Sequence, residues 1–199
     1  MRKSTIKLTK KEFDFINSKE YPISKRAVIQ KICLQFDELG PALQENLIPI
    51  NPKAAAELKN SSFKTTRGEN YQSLPYVVLD YPKIKQKDFT ILCRTMFWWG
   101  KYVSLNVFLK ADEFDIKKIA KALTQTSIKK IKLYDGKDIW QQNLNDKHFI
   151  KLSNLNEEEL YSILKKQLYL KLSLKVRFDK LDKLNDRAVN FYNTILSIL

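Results

Sequence analysis

The spacing of apolar residues changes several times along this chain, and each change predicts an element. The first part is helical in period. Thr9 and Glu12 form a T-x-x-E capping box ahead of Phe13 and Ile16, so a short helix opens there. Pro22 is expected to break it. Ser24 can then cap a second helix with Val28, Ile32, Phe36 and Leu39 on one face. Gly40-Pro41 is expected to end or kink that helix, and a further helical stretch carries Leu43 and Leu47. Residues 48–66, with Pro49, Pro52 and the Asn60-Ser61-Ser62 run, are the least patterned and read as a short helix and a loop.

The period then falls to two. Residues 75–81, 89–99 and 102–110 read as strands, the last with Val103, Leu105, Val107 and Leu109 on one face. Gly100-Lys101 between them matches a two-residue type II′ hairpin loop. Residues 113–125 return to helix through Ile116, Ile119, Ala120 and Leu123. Asp135-Gly136 predicts a type I′ hairpin turn joining Ile131–Tyr134 to Lys137–Trp140. Asn154 or Asn156 starts a helix with Glu157–Glu159 in its first turn. Leu168, Leu170, Leu172, Leu174, Val176 and Phe178 then alternate without a break, the strongest strand in the chain. Residues 180–199 close it as an amphipathic helix through Leu184, Ala188, Phe191, Ile195 and Leu199. Strand pairs with helices at the N- and C-terminal ends predict an α+β fold with a mainly antiparallel sheet. All 199 residues are expected to form a single α+β domain, its largely helical part at 1–66 packing on the sheet.

Charge alters this picture less than its size suggests. The net charge is +14, but it is diffuse. Residues 1–66 hold 12 Lys/Arg against 7 Asp/Glu, residues 67–111 hold 7 against 3, and residues 112–199 hold 17 against 12. Lysine outnumbers arginine 30 to 6, whereas bidentate reading of phosphates and bases favours arginine. A nucleic-acid partner is therefore not indicated, and a lysine-rich solvated surface accounts for the excess. The strip Tyr169, Lys171, Ser173, Lys175 and Arg177 reads the same way, as the open, solvated face of its strand.

The five Lys/Arg of residues 1–11 have no apolar run after them, so no secretory signal is expected. No segment has the length and apolarity of a membrane span. A cytoplasmic location with no membrane partner follows as an expectation. Cys33 and Cys93 then read as reduced, buried thiols. His148 is the only histidine, so neither a zinc site nor another metal centre is expected. The phosphate-cradling glycine loops and the G-x-S-x-G nucleophile elbow are missing, so no cofactor is expected.

One polar segment stands apart. Arg67-Gly68-Glu69-Asn70-Tyr71-Gln72-Ser73-Leu74-Pro75-Tyr76-Val77-Val78-Leu79-Asp80-Tyr81-Pro82 is followed by Arg94-Thr95-Met96-Phe97-Trp98-Trp99-Gly100. This pair of runs resembles a small uncharacterised family of bacterial proteins with an R-G-E-N-Y-x-x-L-P-Y-x-x-L-D-Y-P stretch and an R-T-x-F-W-W-G strand. The resemblance covers about residues 67–110 and implies no particular activity, cofactor or catalytic residue.

The residues themselves carry two alternatives. A two-residue loop at Gly100-Lys101 puts Leu92, Arg94, Met96 and Trp98 on the apolar face with Val103, Leu105, Val107 and Leu109. Arg94 then needs a carboxylate, and Asp80 or Glu69 is the expected partner. That pair is either purely structural or part of a pocket. In the pocket reading Arg67, Glu69, Asn70, Tyr71, Asp80, Arg94 and Trp98 bind a small polar or anionic ligand, or a protein partner. The leading expectation is a non-catalytic binding or scaffold domain with its site around residues 67–99. An enzyme using Glu69 or Asp80 with Arg67 and Arg94, and a basic nucleic-acid-associated protein, stand as alternatives.

Overall fold

A computed structural model describes residues 6–48, 57–58, 60–85, 90–110 and 115–198. Seven strands form one antiparallel sheet in the order β1-β2-β3-β4-β7-β5-β6. They are β1 (Lys64–Tyr71), β2 (Leu74–Lys85), β3 (Thr90–Trp98), β4 (Tyr102–Lys110), β5 (Lys132–Tyr134), β6 (Phe149–Lys151) and β7 (Tyr169–Val176). The helices are α1 (Lys10–Asn17), α2 (Glu20–Asn46), α3 (Ile116–Thr124), α4 (Glu157–Lys166) and α5 (Leu184–Leu196). The fold is therefore α+β, with helices at both ends of the chain, as the periodicity predicts. No helix among the described residues is long and apolar enough to cross a membrane.

The helices cover one face of the sheet. That face carries Val77, Leu79, Ile91, Cys93, Val103, Leu105, Val107, Leu109, Leu170, Leu172, Leu174 and Val176, all buried. Ile29, Ile32, Phe36, Leu39 and Leu43 of α2 pack against it, with Leu184, Ala188, Phe191, Tyr192 and Ile195 of α5. Its polar member is satisfied, because Thr95 Oγ1 lies 2.9 Å from the hydroxyl of the buried Tyr192. The thiol of Cys33 is raised by partial burial and that of Cys93 by complete burial. Both cysteines are free.

Four local expectations are corrected. Pro22 does not separate the first two helices: α1 ends at Asn17, α2 begins at Glu20, and Pro22 falls in its first turn. Proline is tolerated there because that N–H has no helical partner anyway. Pro41 does not end α2, which runs on to Asn46 with Leu43 buried. Gly40 beside it leaves room for Phe63, whose ring carbon Cδ2 would lie 2.4 Å from any Cβ at that position. Residues 64–66, read as loop, and the start of the polar segment that follows them form strand β1. Asp135-Gly136 makes no hairpin turn, because β5 pairs with β6 and β7, and the chain from 135 to 148 forms a long excursion. The short helix expected within 48–66 lies largely outside the described residues, and Leu199 lies outside them. The capping boxes at Thr9 and Asn156 are both formed.

The register of β3 and β4 is the most consequential correction. Trp98 pairs with Tyr102 and Arg94 with Asn106. The turn Trp98–Lys101 is closed by a 3.0 Å bond from the Lys101 N–H to the Trp98 carbonyl, with Gly100 at φ +68°. Gly100 is thus the third residue of a four-residue turn, where a type II geometry needs positive φ, and not the first residue of a two-residue loop. Moving the pairing by one residue exchanges the faces. Arg94, Met96 and Trp98 therefore lie away from the helical core, with Tyr102, Ser104, Asn106 and Phe108.

Candidate functional site

Six of the seven expected site residues fall into two groups on opposite faces of the sheet, and the seventh, Asn70, lies at the β1–β2 turn. Arg67 pairs with Val77 and so shares its face with the helices. Arg67 and Glu69 meet Tyr21, Pro22, Lys25, Arg26 and Ile29 of α2 around an open groove of about 440 Å³. Glu69 accepts a bond from Lys25, which ties β1 to α2. Arg67 lies close enough to Cys33 that its charge opposes the rise that burial imposes on the thiol. Asn70 serves the β1–β2 turn, where its Oδ1 accepts the Ser73 N–H at 3.1 Å.

Tyr71, Asp80, Arg94 and Trp98 lie on the other face, beneath the excursion 135–148. Arg94 makes a two-point pair with Asp80, Nε to Oδ1 at 2.7 Å and Nη2 to Oδ2 at 2.8 Å. The expected carboxylate partner is found, on a half-buried surface at the margin of the excursion and not in the apolar core. Trp140 covers the guanidinium, whose central carbon is 4.8 Å from the ring centroid. Trp98 is buried and donates its indole N–H to the Tyr71 carbonyl at 3.2 Å. We expect Arg94→Ala to lower stability by about 1–3 kcal/mol, the range for charge-assisted hydrogen bonds whose partner is left behind. Urea unfolding of the variant and parent measures it, and an unchanged midpoint would show the pair to be idle.

The excursion closes over this face through hydrogen bonds to its own backbone. Tyr102 Oη accepts the Leu144 N–H at 2.7 Å and donates to the Gln142 carbonyl at 3.2 Å. Tyr71 Oη accepts the Gln142 N–H at 2.7 Å. Burial pushes the Tyr102 hydroxyl up to about 12. His148 Nδ1 lies 2.8 Å from Asp135 Oδ1 at the base of the excursion.

Lys171 stands at the centre. The solvated strip expected on β7 does not exist at this residue or at Ser173, which are both fully buried. The Lys171 ammonium sits 4.9 Å from the Phe108 ring, 5.0 Å from Tyr134 and 5.3 Å from Phe149. It donates to the Ile139 carbonyl at 2.8 Å and to the Gln141 carbonyl. Burial pulls its pKa down to about 7, with Asp138 acting against the drop and Arg94 adding to it.

Sequence reasoning missed Lys171, Trp140 and the α2 side of the groove. A signal for Lys171 exists in the corrected register, because Phe108 stands directly opposite it. Trp98, Met96, Tyr102 and Phe108 together make that face too apolar to be left open to water. Comparison with protein-family models, with curated proteins and with solved structures gives no match.

Proposed function

We propose that this chain is a non-catalytic binding domain that takes a carboxylate or phosphate group in the groove between α2 and β1. The supporting observation is two unpaired guanidinium groups on one concavity. Lys25 is engaged with Glu69, but Arg26 and Arg67 have no carboxylate partner among the described residues. Three cations against one carboxylate leave an excess of two positive charges around the groove. Tyr21, Pro22 and Ile29 supply an apolar wall. Arginine suits this task, since its planar fork matches both oxyanion types and keeps its charge at any ordinary pH.

The enzyme reading draws less support from the same residues. Asp80 has both carboxylate oxygens taken by Arg94. Glu69 is exposed and tied to Lys25. Neither is a carboxylate poised for proton transfer. The nucleic-acid reading loses the strip on β7, since Lys171 and Ser173 are covered.

A thermal-shift titration with inorganic phosphate and with citrate, at low ionic strength, tests the proposal. Both probes should raise the melting temperature of the parent in proportion to occupancy. Arg26→Ala and Arg67→Ala should each lose most of the rise. Arg94→Ala should melt lower yet keep it. No rise in the parent, or an equal rise in the groove variants, overturns the reading.

A further inference from the structure

Resting on that groove, we infer that its natural occupant is an extended acidic peptide segment that pairs with β1 as an additional strand. β1 is the edge of the sheet, hydrogen-bonded to β2 along one side only. From Lys64 to Asn70 no backbone hydrogen bond is made outside the β1–β2 ladder among the described residues, while the Tyr71 carbonyl accepts the Trp98 indole N–H. The alternate residues of Lys64–Asn70 that do not bond β2 therefore offer outward N–H and C=O groups unpaired among the described residues. Such a row is the template for strand addition, in which backbone bonds supply affinity and alternate side chains supply selectivity.

The side chains beside that edge choose the partner. Lys64, Arg67 and, across the groove, Arg26 are exposed cations, Glu69 is already neutralised by Lys25, and a further carboxylate that meets β1, Asp37, accepts from Thr65 Oγ1 at 2.7 Å. A second copy of this chain, added edge to edge, would set a second Lys64 and Arg67 beside the first, on both faces of the joined edge. Like charges across strands are destabilising. A cationic peptide meets the same obstacle. An acidic strand instead turns the carboxylates of one face toward Arg67 and Arg26, beside the wall of Tyr21, Pro22 and Ile29, while its intervening side chains lie on the other face with Lys64. The side chains of β1 itself are polar or charged save for Tyr71, which blunts pairing with apolar strands of unfolded chains.

The probe is a peptide of alternating Glu and Val about as long as β1, used with the full chain. Its control carries the same side chains but N-methyl groups on alternate backbone amides, which keeps the charges and removes the strand-pairing donors. Affinity is read by calorimetry and β1 amide exchange by hydrogen exchange with mass spectrometry. The inference expects binding of the first peptide, slowed exchange in 64–71, and at least about tenfold weaker binding of the methylated one. That factor corresponds to one or two net hydrogen bonds of about 1 kcal/mol each. If both peptides bind alike and β1 exchange is unchanged, strand addition is overturned while the anion groove stands. If inorganic phosphate and citrate bind but neither peptide does, strand addition is likewise overturned. If the peptides, phosphate and citrate all fail to bind, the groove reading falls with it.

Discussion

At pH 9, where the folded amine is neutral, Lys171→Ala is expected to lower the unfolding free energy by roughly 2–5 kcal/mol, the range for truncating a long buried aliphatic chain, and by less below pH 7, where it also relieves a buried charge. Two effects add. The alanine leaves a void among Phe108, Tyr134 and Phe149. It also leaves the Ile139 and Gln141 carbonyls without their donor. The loss should be local in its first consequence, with faster amide exchange across 135–148 before the rest of the sheet opens.

Lys171 also sets a pH dependence. In the folded state its pKa is about 7, against about 10.4 for a solvated lysine. Below pH 7 both states hold the proton and the residue adds no slope. Above pH 7 the folded state releases it while the unfolded chain keeps it. The unfolded state then binds more protons, so stability rises with pH, by up to about 1.4 kcal/mol per pH unit. The two thiols that burial raises in the fold pull the other way as unfolded cysteine ionises at about pH 8.5, so urea unfolding between pH 7 and 9.5 should show a parent slope more positive than that of Lys171→Met, in which only the thiol effect is left. A parent slope equal to that of the variant would contradict the burial of a charged amine at this position. Above this range unfolded tyrosines ionise first, since burial raises Tyr102 and Tyr192 in the fold, and the trend reverses.

Trp98→Ala carries the second large effect, roughly 3–5 kcal/mol, the range for truncating a large buried aromatic side chain. Trp98 lies edge-on to Tyr71 at 5.2 Å and to Tyr102 at 5.8 Å. Those are the two tyrosines whose hydroxyls hold Gln142 and Leu144 of the excursion. Removing the indole takes away the packing that positions both. Trp98 is thus an anchor for the covering segment and not the aromatic wall of a ligand site. Phosphate binding by the folded variant should match that of the parent, because the groove is on the other face. Urea unfolding and a phosphate titration of the same variant separate the two roles, and a large loss of affinity in the folded variant would return Trp98 to the site.

These residues also show how far the sequence could be read. The helical core face was legible, because α5, β4 and β7 repeat apolar residues at one period and α2 does so through Ile32, Phe36 and Leu39, although Val28, expected with them, is exposed and Ile29 takes its place. A carboxylate partner for Arg94 was legible too, narrowed only to Asp80 or Glu69, and Asp80 fills the role although the core burial that called for it is absent. The face of Arg94 was not. It turned on whether Gly100 opens a two-residue loop or stands third in a turn, and a single residue decides every side chain of β3. β1 was missed because an edge strand with one face on a charged groove has no apolar alternation to display. The excursion 135–148 was missed for a different reason: it covers the sheet largely through backbone carbonyls and N–H groups, which leave no trace in side-chain periodicity. The site set split for the same geometric cause, since Arg67 and Glu69 point to one face while Asp80, Arg94 and Trp98 point to the other.

The groove is tested most directly by backbone and side-chain NMR shifts of the labelled protein during a phosphate titration. The expected result is saturable perturbation confined to Tyr21, Lys25, Arg26, Ile29, Arg67 and Glu69, and lost in Arg67→Ala. Perturbation centred on Asp80, Arg94 and Trp140, or spread evenly over the surface lysines, would contradict it.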